Sequence, residues 1–179
     1  MEAMEHAEGG GRENTTIARE TRMETDAARS LKQLIEKERV AALATLRDAA
    51  PLASMTLFLA AADFSAFYIH VSRLAWHTQD ILKDPRVSLL MNDADDGRDD
   101  PLTLRRVTVR ANAGQIANDA AEFGFLKSAW LGRFPMQSVN FGLADFNFWR
   151  LSPTDARFVA GYGRIMKLSA TDLVAAAGA

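Results

Sequence analysis

The sequence predicts a mainly β fold with peripheral helices. Segments of strand length, apolar throughout or alternating in polarity, outnumber helical segments, and turn residues separate them at short, even intervals. A chain of 179 residues favours one domain with a single sizeable core. Short and evenly spaced strands are typical of small barrels and of sandwiches, and the residue pattern leaves these two architectures nearly equal.

The first half of the chain contains most of the clear signals. Apolar residues at helical spacing predict an amphipathic helix over residues 27–37, with Asp26 as a plausible N-cap. A second, shorter helix is predicted at residues 75–83, and Pro85 ends it, because proline disfavours helix in the residue before it. Strands are predicted at residues 40–46, 52–60, 66–71 and 86–92.

In the second half, strict alternation marks a half-buried strand over residues 104–116, with Val107 and Val109 on one side and Arg106 and Thr108 on the other. A helix is predicted over residues 119–132. Two strands, 146–151 and 156–161, are predicted on either side of a turn at Ser152 and Pro153, and a small helix at residues 171–177.

Composition excludes several classes of function. A formal net charge of -2 gives no basic field for nucleic acid, and the lack of cysteine excludes disulfides and thiolate metal sites. The lack of cysteine fits a cytoplasmic protein, which we expect. The sequence contains no run of about 18 apolar residues, so no membrane-spanning helix is predicted. Residues 1–25 are predicted to be a disordered leader and residues 26–179 the domain. The acidic stretch at 93–101 is interpreted as a solvated loop, and no metal site is predicted.

The most informative segment is residues 67–91, which reads as strand, polar loop, helix and strand. Its loop and helix start contain four groups that can bind an anion: Ser72, Arg73, His77 and Thr78. Unpaired N–H groups and a partial positive charge at a helix start suit a phosphate. The segment therefore predicts a phosphate site where the strand gives way to the helix.

The order and spacing of several short motifs resemble a known family. The motifs occupy residues 39–45, 51–58, 70–78, 84–90, 106–109, 133–135, 145–146 and 157–163. Together they look like the pyridoxamine 5'-phosphate oxidase-like FMN-binding split barrels, over about residues 28–173. Within that family the motifs are most similar to the branch that includes haem-utilisation proteins.

This resemblance implies a split β-barrel that binds FMN in a groove at a homodimer interface, with both subunits contributing. Carried over residue by residue, the flavin ring and ribityl chain would contact Ser54, Met55, Thr56, Ile69, His70 and Arg106. The phosphate would be held by Ser72, Arg73, His77 and Thr78, and the strand end with Gly161 and Tyr162 would approach the ring. The flavin would supply the redox chemistry, and no side-chain acid or base stands out as catalytic.

Two departures from the family pattern argue against the vitamin B6 reaction. Residues 164–167 contain no histidine where pyridoxamine-phosphate oxidases place one, and His77 replaces the usual lysine of the phosphate segment. Haem-utilisation members usually carry an additional C-terminal domain, whereas this chain ends at Ala179, which argues against haem degradation.

Several residues also have plain structural interpretations. His77 could cap its helix face, Arg73 could be an ordinary surface arginine, and residues 161–163 could be a bend or bulge. His70, within a strand, is more often structural than a ring contact or a haem ligand. For Trp76, packing under the helix is favoured over stacking on a cofactor.

The leading hypothesis is a homodimeric FMN-dependent oxidoreductase that acts on a small molecule, although turnover itself stays open. A haem-binding or haem-degrading protein on the same fold is the first alternative. A flavin-binding module without enzymatic activity is the second.

Overall fold

The computed structural model describes residues 25–161 and 163–179. Residues 1–24 of the predicted leader lie outside the described residues, and Thr25 begins the first helix. The helices are α1 (Thr25–Lys37), α2 (Trp76–Lys83), α3 (Phe123–Arg133) and α4 (Ala170–Ala177), with short 3-10 segments at Pro101–Thr103 and Pro135–Gly142. The strands are β1 (Val40–Arg47), β2 (Ala50–Leu57), β3 (Leu59–Ala60), β4 (Phe67–Ser72), β5 (Arg86–Asn92), β6 (Arg106–Gln115), β7 (Phe146–Val159) and β8 (Ile165–Ser169).

The eight described strands form one antiparallel sheet that curls into a half-barrel. Its order is β2-β1-β5-β6-β7-β4-β3, and β8 pairs with β7 outside this path. The curled sheet with four helices confirms the predicted mainly β, split-barrel fold. Helices α1 and α4 contribute buried side chains to the main core, and α3 packs with Tyr68 and Phe148 in a second cluster.

The main core lies inside the curled sheet. Alternate residues of the strands point inward, and Leu43, Leu89, Val109 and Phe158 have no exposed area. The amphipathic helix α1 packs its apolar stripe on this core, as the spacing of its leucines predicts. Each large side chain that is fully buried stabilises the fold by about 1.5–3 kcal/mol.

A two-residue turn joins β1 to β2. Asp48 and Ala49 both have positive φ, 51° and 65°. Two consecutive residues of this kind make the type I′ turn, whose twist matches that of the flanking strands. The turn fixes the register of β2 against β1, and so brings Ser54 opposite Leu43.

The predicted pair of strands at 146–151 and 156–161 is wrong, because β7 runs unbroken over 14 residues. Proline has no N–H to donate to a neighbouring strand, so it is uncommon inside a strand that is paired on both sides. In the structure a bulge accommodates this proline: Arg110 pairs with Asp155 and Ala111 with Pro153, so Thr154 is the extra residue. The Thr154 hydroxyl donates a hydrogen bond to the carbonyl oxygen of Arg110 at 3.2 Å, which gives that oxygen a partner at the bulge.

Candidate functional site at the start of helix α2

The loop between β4 and α2 is tied to the start of β7. The Ser72 hydroxyl donates a hydrogen bond to the Asp145 carboxylate and accepts one from the Leu74 N–H at 3.0 Å. The Arg73 N–H donates to the carbonyl oxygen of Asp145 at 2.8 Å. These bonds fix the backbone of the loop, so the side chains that follow it have defined positions. Ser72 therefore has a demonstrated structural role here.

His77 is the titratable side chain at the centre of this region. Its Nδ1 lies 3.1 Å from the Ser54 hydroxyl, and its Nε2 has no hydrogen-bond partner and is covered by other atoms of the chain. Burial lowers the pKa of the imidazole, and the nearby Asp80 carboxylate opposes that shift only in part. The ring is therefore neutral at pH 7. A neutral imidazole with one nitrogen paired and the other free is the arrangement that metal-binding histidines use.

A buried ion pair lies beneath the first turn of α2. Asp80 has no exposed area, and its carboxylate accepts hydrogen bonds from the Thr45 hydroxyl at 2.9 Å and from Arg47 Nε at 3.0 Å. The guanidinium of Arg47 in turn lies over the indole of Trp76, 4.4 Å from the ring centroid. Trp76 is 62% exposed, so the prediction that it packs under the helix is wrong.

Sequence reasoning missed both Arg47 and Asp80. They are 33 positions apart, and no periodicity or motif links them. Arg47 ends a strand and Asp80 sits within a helix, where an acidic residue is usually assigned to solvent. Only the packing of α2 on β1 brings them into contact.

The remaining side chains at the helix start face solvent. Within residues 25–161 and 163–179, the Arg73 guanidinium makes no hydrogen bond or ion pair, and Leu74 is 76% exposed. We call Arg73, Leu74, Trp76 and His77 the α2 site. It combines one unpaired cation, two exposed apolar side chains and one neutral imidazole.

Thr78 belongs to the same region but not to its surface. It is fully buried, and its hydroxyl has no hydrogen-bond partner. The structure thus brings together five of the residues that the family resemblance selected: Ser54, Ser72, Arg73, His77 and Thr78. Their contact with a cofactor stays a prediction.

His70 lies in a separate aromatic cluster on the other side of β4. Its ring stacks on Phe141 with centroids 4.2 Å apart, and Phe148 and Trp130 lie at 4.6 and 5.9 Å. Burial, with a smaller contribution from the positive charge of Lys127, lowers its pKa to about 4. Its Nδ1 has no hydrogen-bond partner. The aromatic enclosure agrees with the structural interpretation of this histidine.

The other predicted contact residues are spread over the barrel. Ile69 has no exposed area and belongs to the main core, and the Thr56 hydroxyl donates to the carbonyl of Leu57 at 3.0 Å. Met55, 74% exposed, and Arg106 lie on the outer face of the sheet. Gly161, with φ 113°, lies in the turn after β7, and Tyr162 is outside the described residues. No hydrogen bond in the described part of the chain joins Met55, Ile69, Arg106 or Gly161 to a residue of the α2 site, and their contact with a cofactor stays a prediction.

Two open clefts lie elsewhere on the chain. One of about 570 Å³ is lined by Asp93, Arg105 and their neighbours, and one of about 270 Å³ lies beside Arg150 and Glu122. In the described part of the chain, no group of three or more histidine and acidic side chains is arranged to hold a metal ion. No helix of that part has the length and apolar character needed to cross a membrane.

Three similar proteins carry names that refer to haem. The chain is 35% identical over 112 residues to the chloroplastic heme oxygenase HOZ of Arabidopsis thaliana, a match that covers 62% of this chain and 32% of that protein. It is 25% identical over 116 residues to heme oxygenase HutZ of Vibrio cholerae, covering 60% of this chain and 62% of HutZ. A heme binding protein from Mycobacterium smegmatis has a similar structure, with a TM-score of 0.74, 26% identity, and coverage of 87% of this chain and 62% of that one.

These relatives overturn two expectations. FMN as the cofactor and an FMN-dependent oxidoreductase as the function are wrong, because the similar proteins are named for haem and not for flavin. The physical reason is that the motifs are typical of the barrel, and that the residue types of its β4–α2 loop suit either ring and do not distinguish flavin from haem. Flavin phosphate and haem propionates both require cations and polar donors beside an apolar surface.

The family itself is confirmed. The sequence model of the pyridoxamine 5'-phosphate oxidase family matches residues 27–160. The chain spans less than two thirds of the length of the two curated relatives. Together with the curled antiparallel sheet, the match over most of the chain means that this protein belongs to the pyridoxamine 5'-phosphate oxidase family.

Proposed function

We propose that this protein binds haem, and that the α2 site holds it. The observation that carries the proposal is that three similar proteins, from a plant and two bacteria, are all named for haem. The α2 site adds the groups that such a ligand requires.

Haem needs three kinds of contact, and the α2 site offers each of them. Its iron takes a neutral ring nitrogen, which His77 provides at Nε2 while Ser54 pairs the other nitrogen. Its flat apolar ring takes exposed apolar side chains, which Leu74 and Trp76 provide. Its propionates take a cation, which the unpaired guanidinium of Arg73 provides. Because Nε2 of His77 is covered, coordination requires a local movement of the side chains above it.

His70 is the weaker candidate for the iron ligand. Its ring is stacked on Phe141 and flanked by Phe148 and Trp130 at centroid distances below 6 Å. A porphyrin would have to displace this aromatic cluster to reach Nδ1. The free energy of that disruption is several kcal/mol, since Phe148 and Trp130 are buried and Phe141 is half-buried. We therefore assign the ligand to His77.

Haem titration followed by absorbance tests the proposal. The chain has three histidines, His6, His70 and His77, so each can be replaced by alanine in turn. We expect a Soret band that saturates at one haem per chain in the wild type, in His6→Ala and in His70→Ala. In His77→Ala the band should shift and the affinity should fall by at least tenfold. A wild-type chain with no saturable Soret change would refute haem binding, and a change confined to His70→Ala would refute the assignment to His77.

We also propose that the chain forms a homodimer. Phe125, Met136 and Val139, on α3 and the following 3-10 segment, are 76%, 84% and 67% exposed, which is a large apolar area for a lone chain. A second copy would remove this area from water. Sedimentation of the wild type against Phe125→Glu tests this: we expect a dimer that dissociates in the variant, whereas a wild-type monomer at micromolar concentration would contradict it.

A further inference from the structure

We propose that Trp76 is a stacking platform for one face of a tetrapyrrole ring, and that Arg47, oriented by buried Asp80, is the positioning residue that holds the platform. This inference rests on the proposed haem-binding function. The stacking of Trp76 would be a contact with the flat ring of the ligand, separate from the bond between His77 and the iron.

The support under Trp76 is rigid. Asp80 has no exposed area and binds both the Thr45 hydroxyl and Arg47 Nε, and Arg47 Nη2 reaches Gln79 Oε1 at 3.3 Å. These two contacts restrict the rotation of the guanidinium, whose Cζ lies over the indole, 4.4 Å from the ring centroid. Planar guanidinium groups stack well on tryptophan, by cation–π attraction.

The indole itself is unusually accessible. The other two tryptophans of the chain, Trp130 and Trp149, are 1% and 3% exposed, whereas Trp76 is 62% exposed. Because Arg47 covers one face of the indole, the exposed area belongs mainly to the opposite face and the edges. A large aromatic side chain held firmly with a free face is suited to stack on another flat ring.

The neighbouring groups limit which flat ring fits. The cation of Arg73 lies three positions before Trp76, and the imidazole of His77 follows it directly. A ring with carboxylates at its edge and a metal at its centre engages all three residues. A neutral aromatic ligand without a metal would contact only the indole of Trp76. The three side chains together therefore favour a metal tetrapyrrole that has two carboxylates.

Two ligands separate stacking from coordination: haem, and protoporphyrin IX without iron. Trp76→Ala should weaken both by about tenfold, and Trp76→Phe should retain most of the affinity, since a flat ring remains. His77→Ala should weaken haem much more than the iron-free ring. Arg86→Met is the matched control for Arg47→Met, because Arg86 is an exposed arginine that follows the same helix and its side chain bonds only Asp84 in the described structure.

Quenching of tryptophan fluorescence by acrylamide tests, without any ligand, whether Arg47 holds Trp76 in position. Since Trp130 and Trp149 are buried, the quenchable fluorescence belongs to Trp76. Arg47→Met should raise its quenching constant by about half or more and weaken both porphyrins several-fold, and Arg47→Lys should restore only part of each. Thermal unfolding of every variant shows whether the fold is intact.

The outcomes distinguish the two proposals. If the wild type binds haem but Trp76→Ala binds both rings as the wild type does, the platform is wrong and haem binding stands. If Arg47→Met leaves quenching and affinity unchanged, its positioning role is wrong. If the wild type binds neither ring, haem binding fails and the platform fails with it.

Discussion

Ser54 and His77 meet between the edge strand β2 and the first turn of α2, with the Ser54 hydroxyl 3.1 Å from Nδ1 of the histidine. Their contact depends on two separate elements: the β1–β2 turn sets the register of Ser54, and the loop bonds to Asp145 place the start of α2. The hydroxyl orients the imidazole and leaves Nε2 as its free nitrogen. The orientation of the His77 ring is thus determined by the register of β2 and by the loop that precedes α2.

Removal of this orienting bond should weaken haem binding while leaving the fold intact. Partners of this kind typically change metal affinity by 10–100-fold, so we expect Ser54→Ala to raise the haem Kd by about tenfold. Ser65→Ala is the control, because its hydroxyl bonds Asp63 in a turn outside the α2 site. Equal Kd values for Ser54→Ala and the wild type would show that the bond does not orient a ligand.

The Asp80–Arg47 pair should matter for stability as well. Asp80→Asn removes the charge beneath Arg47 in a site with no exposure, which should lower the free energy of unfolding by about 1–3 kcal/mol. Asp48→Asn breaks a pair with Lys83 whose side chains are mostly exposed, and should cost less than about 0.5 kcal/mol. Urea denaturation of both variants compares them directly, and similar losses would contradict the structural role of Asp80.

His70 should make stability depend on pH. Its pKa is lowered from 6.5 to about 4 by burial, so between those values the unfolded chain binds a proton that the folded chain does not. Stability from this group is therefore complete above about pH 6.5 and falls as the pH drops towards 4, by about 2–3 kcal/mol at pH 4.5.

The matched variant for this effect is His70→Phe, which keeps an aromatic ring in the cluster. The lowered pKa of His77 makes the wild type and His70→Phe both lose stability as the pH falls. The difference between their stability profiles therefore reports the contribution of His70. Parallel profiles between pH 7 and 4.5 would mean that His70 is protonated as easily in the folded chain as in the unfolded one.

The β1–β2 turn contains a residue in an unfavourable backbone conformation. Ala49 has φ 65°, where a Cβ atom is strained and glycine is not. We expect Ala49→Gly to stabilise the protein by about 0.5–1 kcal/mol, net of the added freedom of the unfolded chain. Ala94→Gly, at a loop position with negative φ, should be neutral or destabilising. If it raised the free energy of unfolding as much as Ala49→Gly, the backbone conformation of Ala49 would not explain the stabilisation.

Much of the fold is predictable from local pattern. Alternation located β6, helical spacing located α1, and Pro85 ended α2, because each signal is contained within one element. The unbroken β7 could not be predicted, since the bulge that accommodates Pro153 is formed with Arg110, on a different strand. Strand β8 was missed because it is short and follows a glycine-rich turn.

The site was predicted in part. Ser72, Arg73, His77 and Thr78 lie around the start of α2 because the strand–loop–helix pattern is local, whereas Ser54 reaches His77 through the register of β2. The contacts of Arg47 with Trp76 and Asp80 could not be predicted, because only tertiary packing forms them. The ligand was assigned wrongly, because residue types that suit an anionic flat ring do not distinguish flavin from haem.

The central claim is that His77 binds haem iron at the start of α2. A crystal of the full chain grown with haem, with anomalous data collected at the iron edge, tests it most directly. We expect an iron peak beside Nε2 of His77 with the porphyrin against the free face of Trp76. An iron peak beside His70, or away from every histidine, would contradict it.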